Sequence, residues 1–362
     1  MKASIVTIYN SNPNYGNRFQ NYAIVMILKK IGIDSDTLVF ENDIISRKQL
    51  IKAALQKIFK YKLPGDTFYW MYEIKRCKKF YQFNNKYINI CKVDTMEKLK
   101  KLKSDFFIVG SDQVWNVNWY DSVGIKKNIY LLAFTEPRKK VCFSPSFGIE
   151  RLPDEWTCWF RKHLLDIPFI SVREESGAKI VKELTGKDAM VLIDPTMMLD
   201  AEEWLKIAKQ PENIESVPFI FTYFLGGKSS RINLDIEKYA QENKLQVYNL
   251  LDRDQPELYV SGPEEFIFLL SKAKLVLTDS FHACVFSFLF RKPFLVYKRE
   301  DTQNNMMSRI DTLLKKFKLQ RKFVDSGLHN ELFECDYDLG YEILAKERVK
   351  VIEFLKKSMN LK

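Results

Sequence analysis

Residues 275–290 combine an apolar strand pattern with a short polar cluster, and this cluster contains one of the three histidines of the chain. Leu275–Thr278 has the pattern of a buried strand, Asp279, Ser280 and His282 follow, and the residues through Phe290 are again mostly apolar. Asp279 or Ser280 is a suitable N-cap, and the free N–H groups of a helix start bind anions. An imidazole exchanges protons near neutral pH. We therefore expect His282 to act beside a bound anion; a structural histidine bonded to Asp279 is the alternative.

Polar side chains also follow a second apolar strand pattern, at residues 106–109. Gly110 is followed there by Ser111, Asp112 and Gln113. Side chains at the carboxyl end of a strand lie where α/β folds bind ligands, and these can bind hydroxyl groups. The alternative is helix capping by Ser111 or Asp112, which would account for one residue of the run and not for the others.

Two further segments place a charged residue after a strand. Arg173 follows the strand pattern at 169–172, and a guanidinium can bind a carboxylate or phosphate through two N–H groups. An ion pair with Glu174 or Glu175 is the alternative for this arginine. Asp194 follows the next strand pattern, where we expect it to shape a turn rather than to contact a ligand.

The segment Asn14–Tyr22 follows the first strand pattern and contains one glycine. A single glycine is only a weak indication of a phosphate-binding loop, and a plain turn is equally compatible with it. The segment is expected to open a helix that runs through Ile33.

These segments must be positioned by strand and helix patterns that alternate along the whole chain. Such alternation is typical of βαβ units around parallel sheets, so the expected fold class is α/β. We expect two Rossmann-like halves that face a central cleft, with ligands outside the carboxyl ends of the strands. The predicted strands are Ser4–Tyr9, Thr37–Phe40, Phe106–Val109, Val141–Pro145, Phe169–Val172, Met190–Ile193, Phe219–Leu225, Leu245–Leu250, Leu275–Thr278 and Phe294–Tyr297.

The length of 362 residues favours two domains, each large enough for its own core. We expect an N-terminal domain at 1–165, with a charged helical insertion at about 43–103. A C-terminal domain is expected at 166–335, followed by a terminal amphipathic helix at 336–362. The boundary near residue 165 has no Pro/Gly/Ser linker to mark it.

The net charge of +11 indicates anionic partners. Lysine-rich helical stretches carry much of it; a solvated helix face is one interpretation and contact with an anionic membrane surface another. No nucleic-acid reading motif accompanies the charge, so nucleic acid is not an expected partner. The six scattered cysteines and three dispersed histidines argue against a metal site. Without a signal peptide or an apolar membrane span, the expected location is cytoplasmic.

Taken together, the segments resemble the polysaccharide pyruvyl transferase family. The resemblance runs from about residue 5 to 315, and Gly110–Asn116 and Asp279–His282 are specific in combination. The segments that carry it are Asn14–Gln20, Val109–Asn116, Ser144–Gly148, Ser171–Glu174, Asp194–Thr196, Thr278–His282 and Ser308–Asp311.

The resemblance implies a GT-B-like architecture and transfer of the enolpyruvyl carbon of phosphoenolpyruvate to a sugar, usually as a ketal across two hydroxyls. The acceptor would be a glycan of a capsule, exopolysaccharide or cell-wall polymer, or its lipid-linked precursor, so the enzyme would work at the inner face of the membrane. No cofactor or metal is implied. A GT-B glycosyltransferase using a nucleotide sugar and a non-catalytic anion-binding scaffold are the alternatives.

The resemblance also implies roles for individual residues. His282 would be the catalytic histidine, and Asp112 would orient or deprotonate the acceptor hydroxyl. Some members carry an arginine where this chain has Ser280, which leaves one cation of the donor site to be identified. The implied donor-binding residues are Arg173, Ser280, Phe281, Lys298 and Arg299, and the implied acceptor-binding residues are Asn14, Asn17, Gln20 and Gln113.

Overall fold

The structure is a computed structural model. It describes residues 1–9, 13–40, 64–120, 126–212, 214–299, 307–326 and 332–361. Within those residues no helix is both long and apolar enough to span a bilayer.

The first half of the chain forms a parallel sheet with the strand order β3-β2-β1-β4-β5. Its strands are β1 (Lys2–Val6), β2 (Asp34–Phe40), β3 (Ile90–Val93), β4 (Phe106–Val109) and β5 (Lys140–Cys142). The side chains of β1, β4 and β5 are largely buried, as expected for a parallel sheet covered on both faces, whereas those of the edge strand β3 are mostly not.

Two very short parallel strands, β6 (Ser171–Val172) and β7 (Met190–Val191), lie beside the segment that follows β5. The backbone N–H of Arg173 donates to the carbonyl of Pro145 at 3.2 Å, which ties β6 to that segment. The second half forms a parallel sheet with the order β11-β10-β8-β9. Its strands are β8 (Phe219–Tyr223), β9 (Gln246–Asn249), β10 (Leu275–Thr278) and β11 (Phe294–Val296).

Helices connect the strands of both sheets. They are α1 (Tyr15–Lys30), α2 (Pro64–Tyr87), α3 (Met96–Lys100), α4 (Lys126–Tyr130), α5 (Asp154–Leu165), α6 (Glu175–Thr185), α7 (Ala201–Leu205), α8 (Ser230–Asn243), α9 (Pro256–Tyr259), α10 (Pro263–Lys272), α11 (Phe281–Leu289), α12 (Ser308–Lys316) and α13 (Asp338–Ser358). Single 3-10 turns occur at Val117–Trp119, Pro137–Lys139, Pro195–Met198, Gln320–Lys322 and Val324–Ser326.

One strand departs from the sequence prediction. Ile90–Val93 pairs with β2 at the edge of the first sheet, inside the region 43–103 that was predicted to be helical. Its four residues, Ile-Cys-Lys-Val, are too few for a clear alternation of apolar and polar positions, so pairing with β2 decides their conformation. The helical prediction was therefore wrong for this segment, while α2 and α3 lie within the predicted region. Residues 41–63 of that region lie outside the described residues.

The packing favours a domain boundary later than residue 165. Val172, Ile180 and Val181, from β6 and α6, are buried in the same core cluster as Val109 of β4. Residues of β6 and α6 thus pack with the first sheet. The division into two domains itself stays a prediction.

The two halves share a second core, in which α1 packs against the C-terminal half. The Tyr15 ring lies 4.8 Å from that of Phe266 in α10, and the Phe19 ring lies 4.9 Å from that of Phe286 in α11. Full burial of such a side chain contributes roughly 1.5–3 kcal/mol. This aromatic contact brings the N-terminal ends of α1 and α11 together.

Helix α2 also spans the two halves. Lys79 pairs with Glu265 of α10 at 2.7 Å, and Glu265 is almost fully buried. Tyr259 of α9 donates to the carboxylate of Glu73 at 2.6 Å. The helix that the sequence placed in an insertion therefore helps to set how the two sheets face each other.

Candidate functional site

The polar residues at the end of β10 and just after it make different hydrogen bonds. The Oγ1 of Thr278 accepts from the backbone N–H of Ser280 at 3.0 Å, which shapes the turn into α11. The Asp279 carboxylate accepts from the backbone N–H groups of Leu225 and Gly226 at 2.7 and 2.8 Å and from Arg299 Nε at 3.1 Å. Asp279 thus ties the ends of β8, β10 and β11 together, and it is not the partner of His282.

His282 lies in the first turn of α11, and its side chain is buried, with 8% of the residue exposed. Its Nε2 is 3.9 Å from Oδ2 of Asp194 and has no hydrogen-bond partner among the described residues. On the other side the imidazole packs against Gly16 of α1, where a Cβ atom would overlap its Nδ1 and Cε1 atoms. The absence of a side chain at position 16 is what lets the two helix ends approach.

Asp194 is the centre of the polar cluster. Its Oδ1 accepts from the N–H and the hydroxyl of Thr196 at 3.0 and 2.7 Å, which forms the expected turn. Its Oδ2 accepts from Nη1 of Arg173 at 2.5 Å and from the Ser111 hydroxyl at 3.3 Å. Asp194 therefore does more than the sequence predicted, because one oxygen shapes the turn while the other joins Arg173, Ser111 and His282.

Arg173 extends from the end of β6 into this cluster and is 3% exposed. Asp194 is its ion-pair partner, instead of the neighbouring glutamates that the sequence offered as alternatives. The Nε and Nη2 groups of Arg173 have no hydrogen-bond partner in the described part of the chain. Its guanidinium carbon lies 5.0 Å from the ring centre of Phe281. A buried guanidinium with two unsatisfied N–H-bearing nitrogens is suited to bind an anion.

Asp112 faces Arg173 from the turn after β4. Its Oδ1 is 3.8 Å from Nη2 of Arg173 and accepts from the N–H of Gln113 at 2.8 Å. Asp112 has φ = 66° and Gly110 has φ = 122°, so the turn adopts backbone conformations that few L-residues occupy. The turn places the Asp112 carboxylate beside Arg173.

The polar residues of α1 hold this turn in place. Gln20 accepts from the N–H of Ser111 at 2.8 Å and donates to the Thr7 hydroxyl at 2.7 Å, and it is fully buried. Both ends of its amide are bonded within the protein, so Gln20 positions the turn. Its implied contact with the acceptor stays a prediction.

The other predicted acceptor residues lie near the same turn. Asn14 caps α1 by accepting from the N–H of Asn17 at 3.1 Å. Asn17 donates to the carbonyl of Ile8 at 3.3 Å, while its Oδ1 is buried without a partner among the described residues. Gln113 is largely buried beside Gly148, where a Cβ atom would lie 2.6 Å from its Nε2. Of these residues Asn17 keeps an open hydrogen-bond acceptor.

Arg309 of α12 is a site residue that the sequence prediction missed. It is 9% exposed, its guanidinium carbon lies 5.8 Å from the Phe281 ring, and its Nε has no partner in the described residues. No described carboxylate lies within ion-pair distance of it. Burial and the nearby charge of Arg173 lower its pKa to about 10. The segment Ser308–Asp311 carried the resemblance, but nothing in its local pattern shows that its arginine points inward.

The remaining predicted cations are placed differently. Arg299 is bonded to Asp279 through its side chain at 3.1 Å and to the Asp279 carbonyl at 3.3 Å. Lys298 is exposed. Among the described residues, the cations that lie against the Phe281 ring are therefore Arg173 and Arg309.

The buried charges control the protonation of His282. Burial lowers the pKa of His282 to about 4, Asp194 opposes this shift, and Arg173 adds to it. Burial alone would raise the pKa of Asp194, but Arg173, His282 and the hydrogen bonds from Thr196 hold it below its ordinary value. The ligand-free site at neutral pH thus contains a neutral imidazole between an ionised carboxylate and two guanidinium groups.

Comparison with known families gives one match. The model of the family described as polysaccharide pyruvyl transferase matches residues 14–301 of the chain. That span contains all of the site residues described above except Arg309. No curated protein matches the chain in sequence.

Solved structures of very different sequence are similar to this chain. The UDP-GlcNAc 2-epimerase of Neisseria meningitidis bound to UDP-GlcNAc aligns with 99% of this chain and 100% of its own, with a TM-score of 0.50 and 15% identity. A putative epimerase of this kind from Listeria monocytogenes aligns over 99% and 90%, with a TM-score of 0.48 and 10% identity. MurG of Acinetobacter baumannii aligns over 98% and 99%, with a TM-score of 0.43 and 10% identity. The expected fold class is confirmed: an α/β protein of GT-B type with mostly parallel sheets.

Proposed function

The chain belongs to the polysaccharide pyruvyl transferase family, and we propose on this basis that it transfers the enolpyruvyl group of phosphoenolpyruvate to a sugar. The product would be a pyruvate ketal on a cell-surface polysaccharide or on its lipid-linked precursor, with release of phosphate. The acceptor would reach the enzyme at the inner face of the cell membrane. The contacts around His282 support this proposal.

The observation that carries the proposal is a pair of buried arginines against one aromatic ring. The guanidinium carbons of Arg173 and Arg309 lie 5.0 and 5.8 Å from the centre of the Phe281 ring, and both side chains have N–H groups without a partner among the described residues. Arg173 is paired with Asp194, but Arg309 is a buried cation with no counter-ion among the described residues. Such a cation is costly to bury, so the pair calls for an anionic ligand. Phosphoenolpyruvate carries a carboxylate and a phosphate on a three-carbon skeleton, and two cations suit it.

The start of α11 adds further hydrogen-bond donors for an anion. Ser280 is the N-cap, and the first backbone N–H groups of an α-helix have no partner within the helix. Together with the helix dipole they favour an anion at that end. Arg309 fills the role of the arginine that some family members carry where this chain has Ser280. Arg299 would act indirectly, by holding the Asp279 turn from which α11 starts.

The proposed reaction uses His282 and Asp112. His282, as imidazolium, gives a proton to the methylene carbon C3 of the donor, which leaves an oxocarbenium-like centre at C2. A sugar hydroxyl oxygen bonds to C2 and its proton passes to Asp112. The C2–O bond to phosphate then breaks, phosphate leaves with the electron pair, and a second hydroxyl oxygen closes the ketal. Of the two hydroxyl protons, one replaces the proton given to C3 and the other leaves with phosphate, so no cofactor is needed.

His282 is neutral at neutral pH, which fits a general acid that becomes protonated when phosphoenolpyruvate binds. An opposite charge close to an imidazole favours its protonated form. Binding of the donor anion beside His282 would therefore raise the pKa of the imidazole from about 4 towards neutral pH. The acid would form only when its substrate is present.

Donor use tests the proposal. The protein is incubated with phosphoenolpyruvate and a panel of methyl hexosides and lipid-linked oligosaccharides, and phosphate release and product mass are measured. We expect phosphate and a product heavier by one pyruvyl ketal. If a nucleotide sugar is consumed and phosphoenolpyruvate is not, the protein is a GT-B glycosyltransferase instead. If neither donor is bound, the protein is a scaffold.

A further inference from the structure

Glu174 has a carboxylate oxygen without a hydrogen-bond partner among the described residues, near the proposed phosphoenolpyruvate site. Its Oε1 accepts three hydrogen bonds, from the Ser146 hydroxyl at 3.0 Å and from the N–H groups of Phe147 and Gly148 at 2.8 and 3.2 Å. These bonds fix the carboxylate. Its Oε2 is buried and has no hydrogen-bond partner in the part of the chain that the structure describes, and the residue as a whole is 0% exposed.

Glu174 lies close enough to Arg173 and Arg309 for its charge to act on both. Its charge raises the pKa of both Arg173 and Arg309, against the lowering effect of burial, yet it forms no ion pair with either within the described residues. A fixed carboxylate oxygen that no protein donor satisfies is costly to bury, so a ligand donor is expected there. The group that donates this hydrogen bond cannot be an ionised phosphate or carboxylate, because such an anion has no hydrogen to donate and would be repelled by the Glu174 carboxylate. A hydroxyl group meets the requirement.

A cleft lies between α6 and α12, and residues next to Glu174 and Arg309 in the chain line it. It has a volume of about 770 Å³. Ser176 and Ser308, whose chain positions are close to Glu174 and Arg309, line it, and both hydroxyl oxygens are buried without a partner among the described residues. Ligand pockets typically have volumes of about 300–1,000 Å³.

The lining of this cleft suits a polyhydroxylated chain. Three carboxylates and three lysines line it: Glu150, Glu175, Asp311, Lys179, Lys315 and Lys316. Carboxylates accept hydrogen bonds from hydroxyl groups and lysines donate hydrogen bonds to them, so this lining can bind both the hydrogens and the oxygens of sugar hydroxyls.

We propose that the cleft between α6 and α12 binds the acceptor glycan and that Glu174 Oε2 accepts a hydrogen bond from the hydroxyl that reacts. This rests on the proposed function, since it places a sugar hydroxyl beside the donor anion held by Arg173 and Arg309. Glu174 thereby becomes an acceptor-binding residue, and Ser176 and Ser308 bind the next part of the glycan. Asp112, whose carboxylate lies 3.8 Å from Arg173, would take the proton of that hydroxyl.

Glu174→Gln tests the proposal with the fold preserved. The amide oxygen of glutamine can keep the three hydrogen bonds to residues 146–148, while its NH2 group replaces Oε2 and cannot accept. The matched control is Glu183→Gln, which makes the same change at an exposed position of α6. Binding of phosphoenolpyruvate and of methyl hexosides is measured separately by calorimetry and saturation-transfer NMR, and turnover is measured with the hexoside that the wild type uses best.

The expected result for Glu174→Gln is a loss of hexoside binding and at least about a tenfold loss of kcat/KM for the hexoside. Phosphoenolpyruvate should bind at least as tightly as to the wild type, because the variant removes a negative charge near the anion, and the control should have no effect. Ser176→Ala with Ser308→Ala should raise KM for a longer oligosaccharide more than for the monosaccharide. Wild-type turnover with Glu174→Gln, or no hexoside binding to the wild type with or without phosphoenolpyruvate, would overturn the proposal. If the wild type binds hexosides through Glu174 but does not bind phosphoenolpyruvate, the proposed donor is wrong and the acceptor site stands.

Discussion

The imidazole of His282 packs directly against Gly16, so closely that a Cβ atom at position 16 would overlap Nδ1 and Cε1 of the ring. The two residues come from the first turns of α1 and α11 and from opposite halves of the chain. The glycine leaves no space between helix and ring, and the ring is thereby held facing Asp194, 3.9 Å away. The contact makes the position of the proposed acid depend on how the two halves pack.

Gly16→Ala should therefore lower activity without unfolding the protein. Alanine in place of glycine favours a helix by about 1 kcal/mol, and the added methyl can be accommodated by rotation of the imidazole. Because a displacement of about 1 Å at a catalytic group can cost roughly 100-fold in rate, we expect kcat to fall by about that factor. Thermal unfolding and steady-state kinetics measure the two effects.

The control for Gly16→Ala is Gly227→Ala, where a Cβ atom would have no neighbour within 4 Å. This variant should keep wild-type kinetics. An active Gly16→Ala protein would mean that the ring position seen here is not the one that reacts.

His282→Ala should abolish transfer while the fold and phosphoenolpyruvate binding largely survive. The imidazole supplies the proton for C3, and a positioned acid typically contributes about 100- to 10,000-fold to the rate. The arginines that hold the anion remain in this variant. Turnover assays and calorimetry with phosphoenolpyruvate check the two parts, and unchanged product formation would remove His282 from the mechanism.

The protonation of His282 should respond to both pH and donor. Its folded-state pKa is about 4, below the ordinary value of 6.5, so the unfolded chain binds more protons between these values. Stability is therefore fully present above about pH 6.5 and falls as the pH drops towards 4, by up to about 3 kcal/mol from this residue. Urea unfolding of the wild type and His282→Gln at several pH values should show a smaller pH dependence in the variant.

With phosphoenolpyruvate bound, the pKa of His282 should rise, because an anion then lies beside the ring. NMR of the imidazole Cε1–H resonances can follow this, since the chain has three histidines. His282→Gln identifies the resonance. A His282 pKa that does not change on donor binding would argue that the histidine does not act as the acid.

Arg309→Gln should weaken phosphoenolpyruvate binding. Hydrogen bonds to charged groups contribute roughly 1.5–3 kcal/mol, so Kd should rise about 10- to 150-fold. Arg309→Lys should recover part of the loss because it keeps the charge, and Arg161→Gln, at an exposed position of α5, serves as the control. Calorimetry measures Kd, and donor binding as tight as in the wild type would show that Arg309 is not a ligand of the anion.

The protein should bind anionic vesicles weakly, given its net charge of +11. The attraction should disappear as salt is added, since the Debye length falls from about 30 Å at 0.01 M to about 8 Å at 0.15 M ionic strength. Co-sedimentation with phosphatidylglycerol and phosphatidylcholine vesicles over a salt series measures this. Binding that does not depend on salt, or no binding in dilute salt, would contradict it.

The sequence predicted the parts of the site that depend on near neighbours. The Leu275–Thr278 strand, the turn after it and the start of α11 follow from residues within a few positions of one another, as does the Asn14 cap of α1. Such features are decided by strand patterns and capping chemistry, which are local. For Asn14 the sequence predicted only that its segment opens a helix, and the cap itself is seen in the structure. The family resemblance also rested on short segments of this kind.

The tertiary structure decided which of these residues meet. Arg173 pairs with Asp194 and not with the adjacent glutamates. The amide oxygen of Gln20 accepts a hydrogen bond from Ser111. The buried Arg309 side chain lies next to Phe281. The sequence by itself could not show this, because the partner of a buried charge is set by the packing of distant elements and not by its neighbours in the chain. For the same reason the sequence left Gly16 open between a weak phosphate-loop signal and a plain turn, whereas its contact with His282 depends on how α1 and α11 pack.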